Sequence, residues 1–128
     1  MIEIAMVFDK LGSAIFWLSP QGSHPGAIED STTLWERIWA NRGSIGGVVH
    51  THPWDGKPSP SHTDVTTWSA LERALGVRLL WPIVSMDEVS YYVQNPLTGQ
   101  YVETTSTFTG QQCWEDNVKE LRRLSHGG

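Results

Sequence analysis

The stretch at residues 48–64, Val-Val-His-Thr-His-Pro-Trp-Asp-Gly-Lys-Pro-Ser-Pro-Ser-His-Thr-Asp, constrains this chain more than any other. It begins as an apolar strand, carries two histidines separated by one residue, and breaks at Pro53. A Gly/Pro/Ser loop follows, and Ser61 and Asp64 stand where a helix is expected to begin. Side chains at i and i+2 of a strand share a face, so His50 and His52 project side by side, ~6–7 Å apart at their backbones. The loop lets the helix fold back over the strand end, which brings Asp64 to the two imidazoles. Two imidazoles and a carboxylate make the donor set of a hydrolytic zinc site with a fourth position for water. His50, His52 and Asp64 are the expected metal ligands. The structural alternative is a pair of polar strand-end residues, with Asp64 a first-turn charge favoured by the helix dipole.

Ser61 precedes Asp64 by three, the spacing of a capping box with Asp in place of Glu. Its hydroxyl is also a candidate donor to the oxyanion of a tetrahedral intermediate, so Ser61 is an expected catalytic residue. Hydrolysis further needs a base that is not a ligand. Among Glu3, Glu29, Glu36 and Glu88, only Glu3 sits on a strand expected to be buried on both faces, where an unpaired carboxylate is costly and its pKa rises. Glu3 is therefore the expected general base. Its alternative is an edge charge near a fraying terminus. His62, two residues from Asp64, is expected to point away from the site, and His24 and His126 carry no signal.

The rest of the chain supplies elements around this stretch. Residues 2–8 predict a strand with Ile2, Ile4, Met6 and Phe8 on one face and Glu3, Ala5 and Val7 on the other, which suits a central strand. A turn at residues 9–12 and a strand at 14–18 follow, then a Pro/Gly/Ser loop at 19–29. Asp30 or Ser31 can cap a helix to about Asn41, with Leu34, Trp35, Ile38 and Trp39 as its apolar stripe and Gly43 as a left-handed C-terminal cap. The next strand is expected at 45–52, with Gly46 and Gly47 permitting close approach of a neighbour. A helix at 61–75 ends at Gly76, with Val65, Trp68, Leu71 or Glu72, and Leu75 on one face. A strand pair at 78–85 and 88–93, a turn at 95–99 and a short strand at 101–104 precede a final helix at 111–124, with 125–128 as a flexible tail. The order β-β-α-β-α-β-β-β-α predicts a mixed α/β sheet flanked by helices.

At 128 residues the chain is expected to form a single domain spanning 1–128. Its net charge of -5, with no basic stripe, argues against nucleic-acid binding. No stretch has the length and apolarity of a membrane span, and no signal-peptide layout opens the chain. Cys113 is the only cysteine, so no intrachain disulfide can form, and a reducing cytoplasm fits. A buried or half-buried thiol is expected there, since Gln112 and Trp114 offer no base.

With these residues in view, the sequence resembles the JAMM (MPN-plus, Mov34/PAD-1, JAB) metalloprotease family. The family motif is a glutamate, then His-x-His-Pro, then a short loop and Ser-x-x-Asp. Here it corresponds to Glu3, His50-Thr51-His52-Pro53 and Ser61-His62-Thr63-Asp64. The resemblance covers roughly residues 2–95. Its His-x-His-Pro to Ser-x-x-Asp part is specific, whereas Glu3 is placed by spacing and strand context. It implies a curved mixed sheet between helices, of cytidine deaminase-like type, and a zinc ion held by His50, His52 and Asp64. It also implies peptide or isopeptide hydrolysis after the Gly-Gly tail of a ubiquitin-like or sulfur-carrier protein. In that scheme Glu3 takes a proton from the attacking water and returns it to the leaving amine, and Ser61 steadies the oxyanion.

The chain departs from the family pattern in three ways. The loop between His52 and Ser61 holds eight residues where seven are expected. The family's usual helix ahead of the glutamate is not expected here, so Glu3 is expected to be held by sheet pairing alone. The insertions with which eukaryotic members grip ubiquitin are also missing, so a compact prokaryotic or phage-like member is expected. The terminal Gly127-Gly128 is expected to be a floppy end rather than a product mimic. Two other readings compete: a metal-free MPN-type interaction scaffold, and a RadC-like relative. Retention of both histidines and the aspartate opposes the scaffold. The acidic charge and the missing DNA-binding extension oppose the RadC type.

Overall fold

A computed structural model describes residues 2–18 and 32–126. The loop expected at 19–29, the cap at Asp30 or Ser31, His24, Glu29 and Gly127-Gly128 lie outside the described residues, as does the packing of Leu34. The elements are β1 (Ala5–Asp9), β2 (Ala14–Leu18), α1 (Thr32–Ala40), β3 (Ile45–Thr51), α2 (His62–Leu75), β4 (Trp81–Val84), β5 (Val89–Gln94), β6 (Tyr101–Thr104) and α3 (Gln112–His126), in the expected order. The six strands form one mixed sheet, β2-β1-β3-β4-β5-β6. β3 and β4 pair in parallel across α2, and the other neighbours are antiparallel. No helix among the described residues is long and apolar enough to cross a membrane.

The alternation along β1 sets up two cores. Ile4, Met6 and Phe8 join Val49, Trp114, Val118 and Leu121 on the face that α3 covers. Val7 joins Phe16, Ile38, Trp68, Leu71 and Trp81 on the face covered by α1 and α2. A strand packed on both sides must be apolar on both, which is what the residue pattern of β1 supplies. Two glycines let the sheet close here. A Cβ on Gly47 would lie 1.9 Å from the Leu80 carbonyl oxygen, and one on Gly46 would lie 2.4 Å from the Asp9 carbonyl oxygen. Helix α2 carries both of its predicted ends. Ser61 is its N-cap in a complete capping box, and Gly76 closes it in the left-handed conformation at φ 69°.

Several details differ from expectation. Residues 2–4 precede β1 instead of belonging to it. The Ile2 N–H donates to the Ser125 carbonyl at 2.8 Å, the Ile4 N–H to the Thr51 hydroxyl at 2.9 Å, and the Thr51 N–H to the Ile4 carbonyl at 2.9 Å. Glu3 is thus held by α3 as well as by β3. Helix α3 continues through Ser125, which is buried, because the Ser125 hydroxyl and carbonyl both bond the backbone of Ile2. Trp39 is 52% exposed, with the Arg42 guanidinium 4.2 Å over its ring. Gly43 is not left-handed; α1 unwinds through a turn in which the Asn41 carbonyl accepts from the Ser44 and Ile45 N–H groups. Cys113 is exposed, on the rim of α3 beside the Ser13 hydroxyl.

Candidate metal centre

The C-terminal end of β3, the N-terminus of α2 and the segment leading into β1 meet at one point. His50 lies in β3 opposite Ala5 and beside Ile83, and it shares the α2-covered face with Val48. His52 follows the strand, with its N–H donating to the Val84 carbonyl at 2.9 Å. The loop at 53–60 is tied to the turn between β4 and β5. The Trp54 carbonyl accepts from the Met86 N–H at 3.0 Å, the Gly56 N–H donates to Asp87 Oδ1 at 2.9 Å, and the Ser85 hydroxyl donates to the Gly56 carbonyl at 2.6 Å. The Tyr92 hydroxyl donates to the Pro58 carbonyl at 3.0 Å. These bonds turn the loop back so that α2 starts beside the histidines. The eighth loop residue is absorbed without moving Ser61 off its cap.

His50 Nε2 and His52 Nε2 stand 3.2 Å apart. Asp64 Oδ1 lies 3.4 Å from His50 Nε2, and Oδ2 lies 3.3 Å from His52 Nε2. A tetrahedral ion with bonds near 2.0–2.1 Å has ligand-to-ligand edges of about 3.3–3.4 Å, so the three groups are spaced as such a site requires. The centre is mostly enclosed, with side-chain exposures of 12% for His50, 7% for His52 and 17% for Asp64. The carboxylate of Glu3 completes the cluster, within 4.8 Å of both imidazole donors. The cluster can hold a metal ion.

Two ligand sets are therefore available, one with Asp64 and one with Glu3, and the two carboxylates sit in different electrostatic surroundings. Burial pushes the Asp64 carboxyl up, but hydrogen bonds to His50 and His52, the charge of His50 and the Ser61 N–H together hold it well below the usual carboxylate range. Asp64 is an anion suited to a cation. Burial is the largest effect on Glu3 and raises its proton affinity; the Asp64 charge adds to this, while His50 and His52 oppose it. Glu3 is suited to hold and release a proton. Glu36 and Glu88 are exposed, which leaves Glu3 as the acid group at the centre among the described candidates.

Ser61 serves the cap with its acceptor side. Its Oγ accepts the Asp64 N–H at 3.1 Å, and its own N–H donates to Asp64 Oδ2 at 2.9 Å. The hydroxyl proton stays available to another acceptor, and Ser61 lines the open cleft that also borders Glu3, His52 and Asp64. His62 opens α2 on the exposed side and takes no part, and His126 ends α3, also exposed.

Two aromatic residues outside the motif also border the site. Trp54 is 56% exposed, yet stacks on the His52 ring at 4.6 Å and 28°. Buried Trp68 meets the edge of His50 at 6.1 Å. Trp54 follows His52 by two, and Trp68 follows Asp64 by four on a helix, so spacing alone offered a hint of each. No protein-family model matches this chain, and no curated protein matches it.

Proposed function

We propose that this protein is a zinc-dependent hydrolase of peptide or isopeptide bonds, of JAMM type, with a JAMM-like curved sheet as its scaffold. The observation that carries the proposal is the convergence of His50, His52 and Asp64 at 3.2–3.4 Å with the half-buried Glu3 carboxylate beside them. A bound zinc supplies Lewis acidity and lowers the pKa of water at the site. His50 and His52 offer Nε2 to the ion and Asp64 offers its carboxylate. Glu3 takes a proton from the attacking water on a carboxylate oxygen and hands it to the leaving amine nitrogen. The Ser61 hydroxyl, with its acceptor side engaged at the cap, donates to the oxyanion.

The proposed substrate is a ubiquitin-like or sulfur-carrier protein with a Gly-Gly tail, and a cytoplasmic location goes with it. The test is metal content by mass spectrometry on protein purified without chelator, beside His52→Ala, with hydrolysis of Gly-Gly-linked peptides followed in parallel. About one zinc per chain, lost in the variant together with hydrolysis, is the expected result. A chain that takes no zinc even on reconstitution overturns the proposal and favours the metal-free scaffold.

A further inference from the structure

The two histidines of the centre are held by different means. His50 sits within β3, in register with Ala5 on one side and Ile83 on the other. His52 lies past the end of the strand, where its N–H still bonds the Val84 carbonyl but its side chain has no strand neighbour in register. An imidazole turns about two side-chain bonds. In a histidine that ligates a metal, the other ring nitrogen normally stops this rotation by donating to a carboxylate or a carbonyl. Here the hydrogen-bond contacts of the His52 ring among the described residues run through Nε2, to His50 at 3.2 Å and to Asp64 at 3.3 Å, and none anchors Nδ1. An aromatic face lies against the ring instead. Trp54 stacks on it with centroids 4.6 Å apart and planes 28° from parallel.

Trp54 is itself fixed at its backbone on both sides. Its N–H donates to the His52 carbonyl at 2.8 Å, a three-residue turn centred on Pro53, whose ring-locked φ suits such a turn. Its carbonyl accepts the Met86 N–H at 3.0 Å from the turn between β4 and β5. Yet the side chain is 56% exposed, and it is the one aromatic residue in the loop at 53–60. Core packing therefore does not account for where the indole lies, and its ring contact is with His52. Building on the proposed metal centre, we propose that Trp54 is a positioning residue for His52. Its indole face fixes the rotation of the imidazole and keeps Nε2 aimed at the point shared with His50 and Asp64. It does this in place of the customary hydrogen bond at the second nitrogen. A flat partner held by the backbone opposes rotation of the ring out of the stacked plane, and it touches neither Nε2 nor the ion position.

The test compares Trp54→Phe, which keeps a flat ring, with Trp54→Leu, which keeps bulk without one. Both leave the backbone bonds of the loop in place. The first arm uses the full chain in chelator, free of metal, and reads the NMR cross-relaxation between the ring protons of His50 and His52. Wild type and Trp54→Phe are expected to show it at similar strength, and Trp54→Leu to show it weakened severalfold as the His52 ring turns among rotamers. Undiminished cross-relaxation in Trp54→Leu overturns the proposal, because the indole would then merely lie on a ring held by other means. The second arm measures zinc affinity by competition with a chromophoric chelator, and the visible absorption of the cobalt-substituted protein. Trp54→Leu is expected to bind zinc about tenfold more weakly and to show altered cobalt bands, whereas Trp54→Phe stays within about twofold of wild type with unchanged bands. Equal affinity in wild type and Trp54→Leu overturns the proposal. So does an equal loss in both variants, which would assign the effect to the shape of the loop and not to stacking. If wild type takes up no zinc but the first arm behaves as expected, the hydrolytic function fails while the positioning of His52 by Trp54 stands.

Discussion

The two oxygens of Asp64 face different partners: Oδ1 lies 3.4 Å from His50, and Oδ2 lies 3.3 Å from His52 while accepting the Ser61 N–H. The carboxylate proposed as a ligand is thus also a helix cap, which ties the start of α2 to the proposed metal position. Substitutions at the neighbouring residues should separate chemistry from structure. Glu3→Gln keeps the shape and loses the proton acceptor, so hydrolysis should fall by about 10²–10⁴-fold while zinc content stays at the wild-type level. Unimpaired hydrolysis in this variant would place the base elsewhere. Ser61→Ala removes a cap and the proposed oxyanion donor together. Thermal unfolding should show a loss of about 1 kcal/mol, and kcat should fall by about 10²-fold, a larger drop than the stability change alone would produce.

Between elements, the decisive contacts are backbone to backbone. Gly47 stands where the β3 backbone meets the Leu80 carbonyl, and no rotamer change can make room for a methyl group at 1.9 Å. Gly47→Ala should therefore cost about 3 kcal/mol in urea unfolding. A near-neutral result would show that β3 and β4 can separate locally. The loop carrying Trp54 depends on a different bond. The Gly56 N–H is the largest influence on the Asp87 carboxyl; burial comes next and opposes it, and the Ser85 hydroxyl, the backbone N–H of Asp87 and the charge of Arg122 add to the Gly56 bond to hold the carboxyl below its ordinary value. A carboxyl with a depressed folded-state pKa stabilises above its unfolded value and loses that contribution as pH falls through the folded one. Asp87→Asn should accordingly be less stable than wild type at pH 7, and the two should converge below about pH 4. Parallel pH profiles, with the gap unchanged in acid, would remove Asp87 from the loop's support.

At the scale of the molecule, the centre joins three pieces that are distant in sequence: residues 2–4, the end of β3 and the start of α2. An ion bound to the folded form alone stabilises by mass action. At zinc about 100-fold above Kd this is about 2.7 kcal/mol, or roughly 10 °C in Tm for a domain of this size. Chelator should reverse the shift, and His52→Ala should show none. Equal zinc-induced shifts in wild type and variant would locate the ion away from this centre.

The order of elements, both ends of α2 and the pairing of His50 with His52 were legible because they rest on local rules: period-2 alternation, capping chemistry and turn residues. The close-approach role of Gly46 and Gly47 was legible too, since glycine in a strand has few other uses. Only the tertiary structure decided how Glu3 is held, because its anchors at Thr51 and Ser125 lie 48 and more residues away and involve hydrogen bonds that no local pattern encodes. The same holds for Trp39 and Trp54. Hydrophobic periodicity says that a tryptophan can be buried, but not whether a neighbouring element arrives to cover it. The stacking of Trp54 on His52 and the burial of the Trp81 N–H, which has no partner among the described residues, both arise where separate elements meet, and in each case the packing of one against another sets what the side chain can touch.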